Sequence, residues 1–554
     1  FLRDGWGDLA ALGGFAESYA HNDPQSAMVK LRMFAERMVG GIYRKLGMPT
    51  PVQPNFIDLL NNDSFKEVVP KVVLDKLHAL RIHGNKAAHG EKVTPNTAIW
   101  LLKEAYDLGR WFYVSQLEGA VSSCPNYQQP PAGGASADSK ARLKQEKKAV
   151  LEQLAIQEAR LEAVLTELEK ARELASSSEQ QLADLTAAAA VGQQAADVLQ
   201  FDEATTRDRL IDSLLVDAGW NVGPKGVNTE QVTQEENVEH QPTKTGKGKV
   251  DYVLWDDNGK PLAVVEAKKT AVDAEKGRTQ ARLYAEGMEK KTGQRPIIFY
   301  TNGFDIWIWD DQAGYPPRKL FGFYSKDSLQ YLIFQRQGKK ALDSLNPRPE
   351  IAGRLYQLEA IKRVTERLTD KHRKSLIVQA TGTGKTRVAI SLTELLIRAG
   401  WVKRVLFLCD RRELRKQAKN AYNDFLNEPL VIVGAKTAQD RNQRIYLATY
   451  PAMSKAYQNF DVGFFDLIIA DESHRSIYNV YGDLFRYFDC MQVGLTATPV
   501  EFVSHNTYQL INCENQNPTA YYSIERAVEE GYLVPFEVQT YTTDFLERGI
   551  KYQQ

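Results

Sequence analysis

Two carboxylates and a lysine lie in neighbouring strand-like segments, where they could act together on a phosphodiester. Asp251 is in the first segment, and Glu266 and Lys268 are in the second. The Asn258-Gly259 pair between them is typical of a tight hairpin, and a turn centred there places Asp251 directly opposite Glu266. Alternation along the strand puts Lys268 on the same face as Glu266. Opposed carboxylates suit Mg²⁺, so the hairpin predicts a metal-dependent nuclease site with Asp251 and Glu266 as ligands.

Three further features accompany this hairpin. Gln280 and Tyr284 are four residues apart in a helical stretch and so share one helix face. Glu203 opens an upstream helix, where the helix dipole also favours an acidic residue. A lysine-rich loop ahead of the first strand could contact DNA or could be merely solvated, and its candidate contacts are Lys244, Lys247 and Lys249. A Glu-x-Lys sequence alone is common on solvated strand edges, so the nuclease prediction depends on these neighbours.

A phosphate-binding loop lies between an apolar strand and a helical stretch at residues 376–386. Its glycines allow backbone N–H groups to curl round a β-phosphate, Lys385 can reach the β- and γ-phosphates, and the Thr386 hydroxyl can bind Mg²⁺. Gln379 stands where the general pattern has its first glycine. The spacing predicts ATP and Mg²⁺ binding by Thr381, Gly382, Thr383, Gly384, Lys385 and Thr386.

A second apolar strand ends in two acidic residues that suit ATP hydrolysis. Asp471 is placed to hold the water shell of the Mg²⁺ ion, and Glu472 is placed to polarise the attacking water. Two such acids can also cap a helix, but their occurrence with the phosphate-binding loop favours the catalytic interpretation.

These two motifs together resemble those of the superfamily 2 helicases and translocases. The resemblance implies that His474 senses the nucleotide and is coupled to a linker motif formed by Thr496, Ala497 and Thr498. It implies DNA-backbone contacts at Arg411 and Thr449. It also implies adenine recognition by the segment containing Arg354 and Gln357, where the glutamine amide can form paired hydrogen bonds with the base.

The hairpin residues resemble the PD-(D/E)xK nuclease superfamily, with Asp251 followed by Glu266-Ala-Lys268 after an apolar strand. Gln280 and Tyr284 match the Gln-x-x-x-Tyr motif that accompanies this nuclease in restriction motor subunits. The resemblance implies that this motif assists DNA contact and cleavage. Glu203 stands where such folds often carry an additional acid.

The elements around these motifs form an α-helical region followed by two α/β regions. Apolar residues recur at helical spacing in 28–42 and 99–117, and a heptad-like leucine pattern runs through 154–182. We therefore expect a helical domain at 1–120, a linker at 121–138, a long helix or helical hairpin spacer at 139–200, an α/β nuclease domain at 201–340, a first RecA-like α/β ATPase lobe at 345–540, and the start of a connection to a second lobe at 541–554.

Composition narrows the class of protein further. The 554 residues are 43% hydrophobic and 25% charged, with no apolar run long enough to span a bilayer. Lys plus Arg and Asp plus Glu both number 70, so any DNA contact must come from local patches. The four cysteines are scattered, which supports neither a disulfide framework nor a zinc site and predicts a cytoplasmic protein. The first residues show no basic region before an apolar core, so we expect no secretory signal.

The order of these regions resembles the amino-terminal part of the motor and endonuclease (R) subunit of type I restriction enzymes. That family implies ATP-driven movement along duplex DNA and Mg²⁺-dependent cleavage of unmodified DNA. It also implies two partners, a methyltransferase (M) subunit and a specificity (S) subunit. A second motor lobe is not visible in the sequence, so the chain looks truncated and is expected to translocate poorly on its own.

Three alternatives remain at this point. The first is a type III-like or stand-alone nuclease-helicase that cuts without those partners. The second is a binding module that responds to ATP but whose nuclease has decayed. The third is a ribonuclease at Arg81–Gly90, a segment that resembles HEPN-type ribonucleases; docking of a partner or of DNA is the favoured interpretation of that segment.

Overall fold

The computed structural model describes residues 2, 6–48, 56–88, 93–131, 178–199, 203–243, 245–267, 274–301, 305–434, 441–471, 481–497, 501–502, 505–506 and 517–535. The chain divides into two compact units. One comprises residues 1–213, and the other comprises residues 214–301 and 305–554. None of the helices in the described ranges is long and apolar enough to cross a membrane.

The first unit is built from helices, as the apolar periodicity predicts. Its helices are α1 (Gly7–Tyr19), α2 (Pro24–Lys45), α3 (Phe56–Asn61), α4 (Asp63–Val68), α5 (Lys71–Ala88), α6 (Pro95–Gln116) and α7 (Ser178–Leu199), with a 3₁₀ turn at Val121–Ser123. Helix α8 (Glu203–Asp217) spans the boundary to the second unit. Lys76 is buried among Glu104 and Asp107, and this charged group ties α5 to α6.

Helix α7 lies in the predicted helical spacer at 139–200 and packs on the helical unit. The indole N–H of Trp111 donates to the carbonyl of Gly192 at 3.0 Å. A Cβ at Gly192 would lie 3.4 Å from Pro70, an ordinary van der Waals distance, so the helix packs directly on this segment. Ala195 and Ala196 are buried. The rest of the predicted spacer, residues 139–177, lies outside the described residues.

The second unit begins with a six-stranded sheet in the order β1-β2-β3-β4-β5-β6. Its strands are β1 (Val232–Glu239), β2 (Lys247–Trp255), β3 (Pro261–Ala267), β4 (Ile297–Thr301), β5 (Ile306–Trp309) and β6 (Arg318–Leu320). All neighbours are antiparallel except β3 and β4. A parallel pair needs a crossover, and helix α9 (Ala274–Thr292) supplies it. Helix α10 (Lys326–Gly338) follows β6.

The β2–β3 hairpin reaches the predicted register by a different route. Its turn is a three-residue loop at residues 257–259, closed by the Asp256 N–H donating to the Lys260 carbonyl at 2.9 Å, and Gly259 has φ +74°. The prediction of a two-residue turn is therefore wrong. Compared with that turn, a three-residue loop shifts the pairing of the two strands by one residue. A bulge next to Leu254 restores it, so that Tyr252 pairs with Val265, the register that the predicted pairing of Asp251 with Glu266 requires.

The remainder of the second unit is a seven-stranded, wholly parallel sheet in the order β15-β7-β12-β11-β8-β10-β9. Its strands are β7 (Lys374–Gln379), β8 (Val405–Cys409), β9 (Leu430–Ile432), β10 (Ile445–Thr449), β11 (Leu467–Asp471), β12 (Met491–Thr496) and β15 (Ala520–Tyr522); the two-residue strands β13 (Glu501–Phe502) and β14 (His505–Asn506) pair separately. Both faces of the sheet carry buried apolar clusters, as parallel sheets require.

Helices cover this sheet on both sides. They are α11 (Leu355–Thr369), α12 (Lys385–Arg398), α13 (Arg412–Phe425), α14 (Tyr450–Ser454), α15 (Gly482–Tyr487) and α16 (Ile524–Glu529), with 3₁₀ turns at Leu342–Ser344 and Tyr457–Asn459. The predicted domains at 201–340 and 345–540 share one compact unit from residue 214 onward. One contact that joins the two regions is the ion pair between Asp489, before β12, and Arg318 of β6 at 2.7 Å.

Candidate functional sites

The predicted nuclease carboxylates lie on adjacent strands. Asp251 is on β2 and Glu266 is on β3, where Glu266 is only 3% exposed. The Asp251 carboxylate accepts a hydrogen bond from the Ala267 backbone N–H at 2.6 Å, which brings it beside Glu266 along β3. Lys268 lies outside the described residues. The structure therefore brings the two predicted metal ligands to the same end of the hairpin.

Helix α9 holds the predicted accessory residues against this sheet. The Gln280 amide donates to the Tyr284 hydroxyl at 2.5 Å, so the two share a helix face as predicted. Tyr284 is 6% exposed and packs in the core between helix and sheet. A Cβ at Gly248 would lie 2.6 Å from the Tyr284 ring, so this glycine gives the ring its place against β2. Gln241, which the sequence did not single out, donates to the Leu283 carbonyl at 3.1 Å and fixes the same helix.

The predicted lysine loop is wrong in its secondary structure. Lys247 and Lys249 are exposed residues of strand β2, because this segment pairs with β1. Lys249 forms an exposed ion pair with Glu235 at 2.9 Å. Lys244 lies outside the described residues. Glu203 begins α8, and its side chain also lies outside the described part.

The two carboxylates at the hairpin suit Mg²⁺ better than a cation that needs all of its ligands from the protein. No group of three His, Cys, Asp or Glu residues that could hold a metal occurs in the described ranges. Mg²⁺ usually takes only one or two protein carboxylates and completes its shell with water and substrate phosphate. The oxygens of Asp251 and Glu266 fit that pattern.

The phosphate-binding loop has the backbone shape that its sequence predicts. Gly382 has φ +85° and Gly384 has φ +90°, conformations that residues with a side chain rarely adopt. The helix α12 begins at Lys385, which places Thr386 in its first turn. Lys385 Nζ donates to the Gln379 carbonyl at 3.4 Å, across the mouth of the loop. An open helix amino terminus behind a curled loop is a ready site for phosphate.

Three side chains converge on the buried Thr383 carbonyl in the middle of this loop. It accepts hydrogen bonds from the Tyr356 hydroxyl at 2.7 Å, from the Gln357 amide at 3.1 Å and from the Gln379 amide at 3.1 Å. Gln379 stands in place of the usual first glycine, and its side chain holds the middle of the loop through this hydrogen bond. Neither Tyr356 nor this use of Gln379 was predicted from the sequence.

Gln357 differs from the prediction that its amide is available to pair with adenine. Its amide N–H₂ donates to the loop, and its oxygen accepts from the Arg354 backbone N–H at 3.4 Å. The Arg354 guanidinium donates to the Tyr356 hydroxyl at 2.9 Å and lies 5.1 Å from the Tyr532 ring centroid. In this structure Gln357 braces the loop directly, and Arg354 braces it through the Tyr356 hydroxyl.

The other predicted motor residues gather at the carboxyl edge of the parallel sheet, where ligands of such sheets bind. Asp471 ends β11, Thr449 ends β10 and Thr496 ends β12, with Ala497 directly after it. The Tyr450 hydroxyl donates to the Asp471 carbonyl at 2.9 Å. Burial, with a contribution from Asp471, raises the pKa of the Cys409 thiol to about 12, so the thiol is neutral.

Arg411 also lies at this edge, between the end of β8 at Cys409 and the start of α13, and its side chain is 66% exposed. Glu472, His474 and Thr498 lie outside the described residues.

Family models match two parts of the chain. Residues 200–316 match the type I restriction enzyme R protein N terminus, and residues 350–501 match the type III restriction enzyme res subunit. The first range contains the carboxylate hairpin and α9. The second contains the phosphate-binding loop and Asp471.

Relatives with similar sequences are endonuclease subunits of type I restriction enzymes. The EcoAI endonuclease subunit of Escherichia coli is 30% identical over 371 residues, which is 61% of this chain and 43% of the relative. The EcoKI endonuclease subunit of Escherichia coli strain K12 is 25% identical over 645 residues, which is 95% of this chain and 54% of the relative. This chain thus spans about half the length of the curated relatives it matches.

A solved fragment described as an HsdR subunit of a type I restriction enzyme, from Vibrio vulnificus YJ016, is 27% identical. The match covers 59% of this chain and 60% of that one, with a TM-score of 0.27. Together, the matches to family models and to curated relatives show that the chain is HsdR-like.

Proposed function

We propose that this HsdR-like chain belongs to a type I restriction endonuclease subunit, which pulls duplex DNA at the expense of ATP and cuts it when it is unmodified. The observation that carries the proposal is that one compact unit holds two separate sites. One is a pair of carboxylates on a hairpin, and the other is a phosphate-binding loop at the carboxyl edge of a parallel sheet. A PD-(D/E)xK nuclease beside a RecA-like lobe accounts for both.

In the nuclease site, Asp251 and Glu266 would hold Mg²⁺. The ion would polarise the scissile phosphodiester and lower the pKa of bound water. Lys268 would support the developing charge, and Glu203 would add an acid nearby. Gln280 and Tyr284 would orient the DNA backbone, since their hydrogen-bonded pair is fixed on α9 against the sheet.

In the ATP site, the backbone from Thr381 to Gly384 would cradle the phosphates, with Lys385 on the β- and γ-phosphates. Thr386 and Asp471 would hold Mg²⁺, which neutralises phosphate charge. Glu472 would polarise the attacking water. The segment from Arg354 to Gln357 would lie beside the adenine while it holds the loop.

Coupling of hydrolysis to movement would run along the carboxyl edge of the sheet. His474 would contact Thr496, Ala497 and Thr498 of the linker motif. Arg411 and Thr449, with Lys244, Lys247 and Lys249 of the nuclease domain, would contact double-stranded DNA. Residues 541–554 would lead to a second lobe.

We further propose that the subunit acts in the cytoplasm with a methyltransferase (M) and a specificity (S) subunit, and that the helical domain docks one of them. The test uses the full subunit, plasmid DNA, Mg²⁺ and ATP, with and without both partners. Cleavage should require ATP and both partners and should be lost in Glu266→Gln. Glu239→Gln is the matched control, because Glu239 is an exposed residue of the same sheet.

A type III-like or stand-alone nuclease-helicase is the second candidate, which the family match at residues 350–501 favours. Cleavage by the subunit alone, still abolished by Glu266→Gln, would support that candidate. Cleavage that survives Glu266→Gln would contradict both proposals.

A further inference from the structure

A cavity of about 440 Å³ lies between the six-stranded sheet region and the parallel sheet of the second unit. Its walls come from β6, from α10 and the segment after it, and from the amino ends of β7, β11 and β12. Six basic and three acidic side chains line it. The basic ones are Arg318, Arg336, Lys339, Lys340, Lys371 and Arg373, and the acidic ones are Asp310, Asp466 and Asp489. A cavity of this size can hold a small ligand.

The acidic residues of the cavity already have partners. Asp489 binds Arg318 and Arg373, and Asp310 binds Arg336. Asp466 accepts the backbone N–H groups of Lys403 at 2.8 Å and Arg404 at 2.9 Å.

Three lysines of the cavity have no carboxylate within ion-pair distance in the described part of the chain. They are Lys339, Lys340 and Lys371, and of these Lys339 is attracted from farther away by Asp466 and Asp310. Positive charge therefore exceeds negative charge in the cavity, which favours a bound anion.

Lys371 stands where a glycine is usual. It follows the carboxyl end of α11 with φ +67°, a left-handed conformation that favours glycine at this position. Its ammonium lies 5.1 Å from the Tyr315 ring centroid at the cavity wall. A strained backbone that presents a charged side chain to a cavity is typical of a binding site.

Lys339 faces the same cavity from the segment that joins the two sheets. Its ammonium lies 4.6 Å from the Trp401 ring centroid. Burial, together with the charge of Lys371, lowers the pKa of Lys339 to about 8. An anion between the two lysines would relieve their repulsion.

We propose that this cavity binds a small anion bearing phosphate groups, held by Lys339, Lys371 and Lys340. The site is separate from the ATP site, because it lies at the amino ends of the parallel strands. The ATP loop follows β7 at Gln379, about 16 Å along the strand from Lys374 at ~3.3 Å per residue. Its ligands come from the segment after α10 and from the end of α11, so the bound anion would bridge those two segments.

The test measures thermal unfolding of the 554-residue chain in a Lys385→Ala background, which weakens phosphate binding at the ATP loop. Pyrophosphate should raise Tm by about 2–4 °C in a saturable manner. In Lys371→Gly the rise should fall by at least half, while Tm without pyrophosphate should be unchanged or higher because glycine suits the left-handed backbone. Lys339→Met, which keeps the apolar stem, should also reduce the rise.

Lys362→Met is the matched control, because Lys362 is an exposed lysine of α11 outside the cavity. It should keep the full rise. ADP in place of pyrophosphate distinguishes a nucleoside phosphate from an inorganic one by the larger saturable shift. No saturable rise with either probe, or an equal rise in Lys371→Gly and Lys339→Met, would overturn the proposal.

Discussion

Tyr522 lies flat on Tyr356, with ring centroids 3.9 Å apart and planes 9° from parallel. Tyr356 in turn donates its hydroxyl to the Thr383 carbonyl at 2.7 Å. The Tyr522 carbonyl accepts the Ala380 backbone N–H at 3.0 Å. Strand β15, which comes late in the chain, therefore braces the phosphate-binding loop at two points.

This brace predicts that Tyr522→Ala weakens ATP binding. Loss of the stacked ring would free Tyr356 and loosen the Thr383 carbonyl, and a stacked pair contributes about 0.5–1.5 kcal/mol beyond its buried area. We expect Kd for ATP to rise roughly 3- to 10-fold, as measured by titration of a fluorescent ATP analogue. Tyr521→Ala is the control, because Tyr521 is next to Tyr522 in the sequence but is 61% exposed. Equal effects of the two variants would contradict the role of the stack.

The pair on α9 predicts a separation of cleavage from ATP hydrolysis. Tyr284→Phe removes the hydroxyl that accepts from Gln280 but keeps the ring against Gly248. We expect stability to fall by only about 1 kcal/mol. DNA cleavage by the assembled enzyme should fall about 10-fold, whereas its ATPase rate should stay unchanged.

Two variants on the same helix calibrate this result. Gln280→Leu should match Tyr284→Phe, since it breaks the same hydrogen bond. Arg282→Ala, at a half-exposed position, should leave cleavage intact. A parallel loss of ATPase activity in Tyr284→Phe would instead indicate that α9 supports the motor.

Asp466 predicts a variant that stabilises the protein only at neutral and higher pH. Burial raises the pKa of Asp466 from 3.8 to about 6, although backbone N–H groups of Arg404 and Lys403 oppose the shift. The folded chain thus binds this proton more tightly than the unfolded chain, so the free energy of unfolding falls as pH rises from about 4 to 6. Asp466→Asn removes that ionisation while its side-chain oxygen can still accept both N–H groups.

We expect Asp466→Asn to raise the free energy of unfolding by on the order of 1–3 kcal/mol at pH 8. The gain should shrink as pH is lowered through 6 and should disappear near pH 4. Urea unfolding of both proteins across this range measures it. A gain in the free energy of unfolding that is independent of pH would show that burial does not raise the pKa of Asp466.

The sequence predicts the local shape of the chain better than it predicts contacts between distant segments. The register in which Tyr252 pairs with Val265 follows from the predicted pairing of Asp251 with Glu266, although the predicted turn is wrong, because the longer loop and the bulge at Leu254 cancel. Side-chain alternation could not reveal the longer loop or the bulge, since each shifts the register by one residue and the two shifts cancel. The curled loop at Gly382 and Gly384 was predictable because few backbone shapes suit that spacing.

Contacts between distant segments were not predictable in this way. Strand β15 is far from β7 in sequence yet pairs with it at the sheet edge, so the Tyr522 brace has no local signal. The same holds for Gln241 and for the packing of α7, where the Trp111 indole donates to the Gly192 carbonyl. These contacts depend on the order of strands and helices, which local patterns do not specify.

Asp489 predicts the strongest single effect on stability. It lies 7% exposed before β12, binds Arg318 of β6 at 2.7 Å and also binds Arg373. The Tyr324 hydroxyl donates to the same carboxylate. Asp489→Ala would leave two partly buried guanidinium groups without their counter-charge, which typically destabilises by about 3–5 kcal/mol.

The pH dependence of this variant gives a second measurement. Burial alone would raise the pKa of Asp489, but Arg318 and Arg373 outweigh it and hold the pKa well below 3.8. The stabilisation is therefore present in full above about pH 4 and is lost as pH falls through the lower folded pKa. Thermal unfolding of wild type should show this additional loss below pH 4, and Asp489→Ala should not.

Asp483→Ala is the control, because Asp483 pairs with Arg486 on the surface with 51% of its side chain exposed. Surface pairs contribute little, so its Tm should stay close to that of wild type. If Asp489→Ala changes Tm no more than Asp483→Ala does, then apolar packing rather than this buried cluster holds β6 to the parallel sheet.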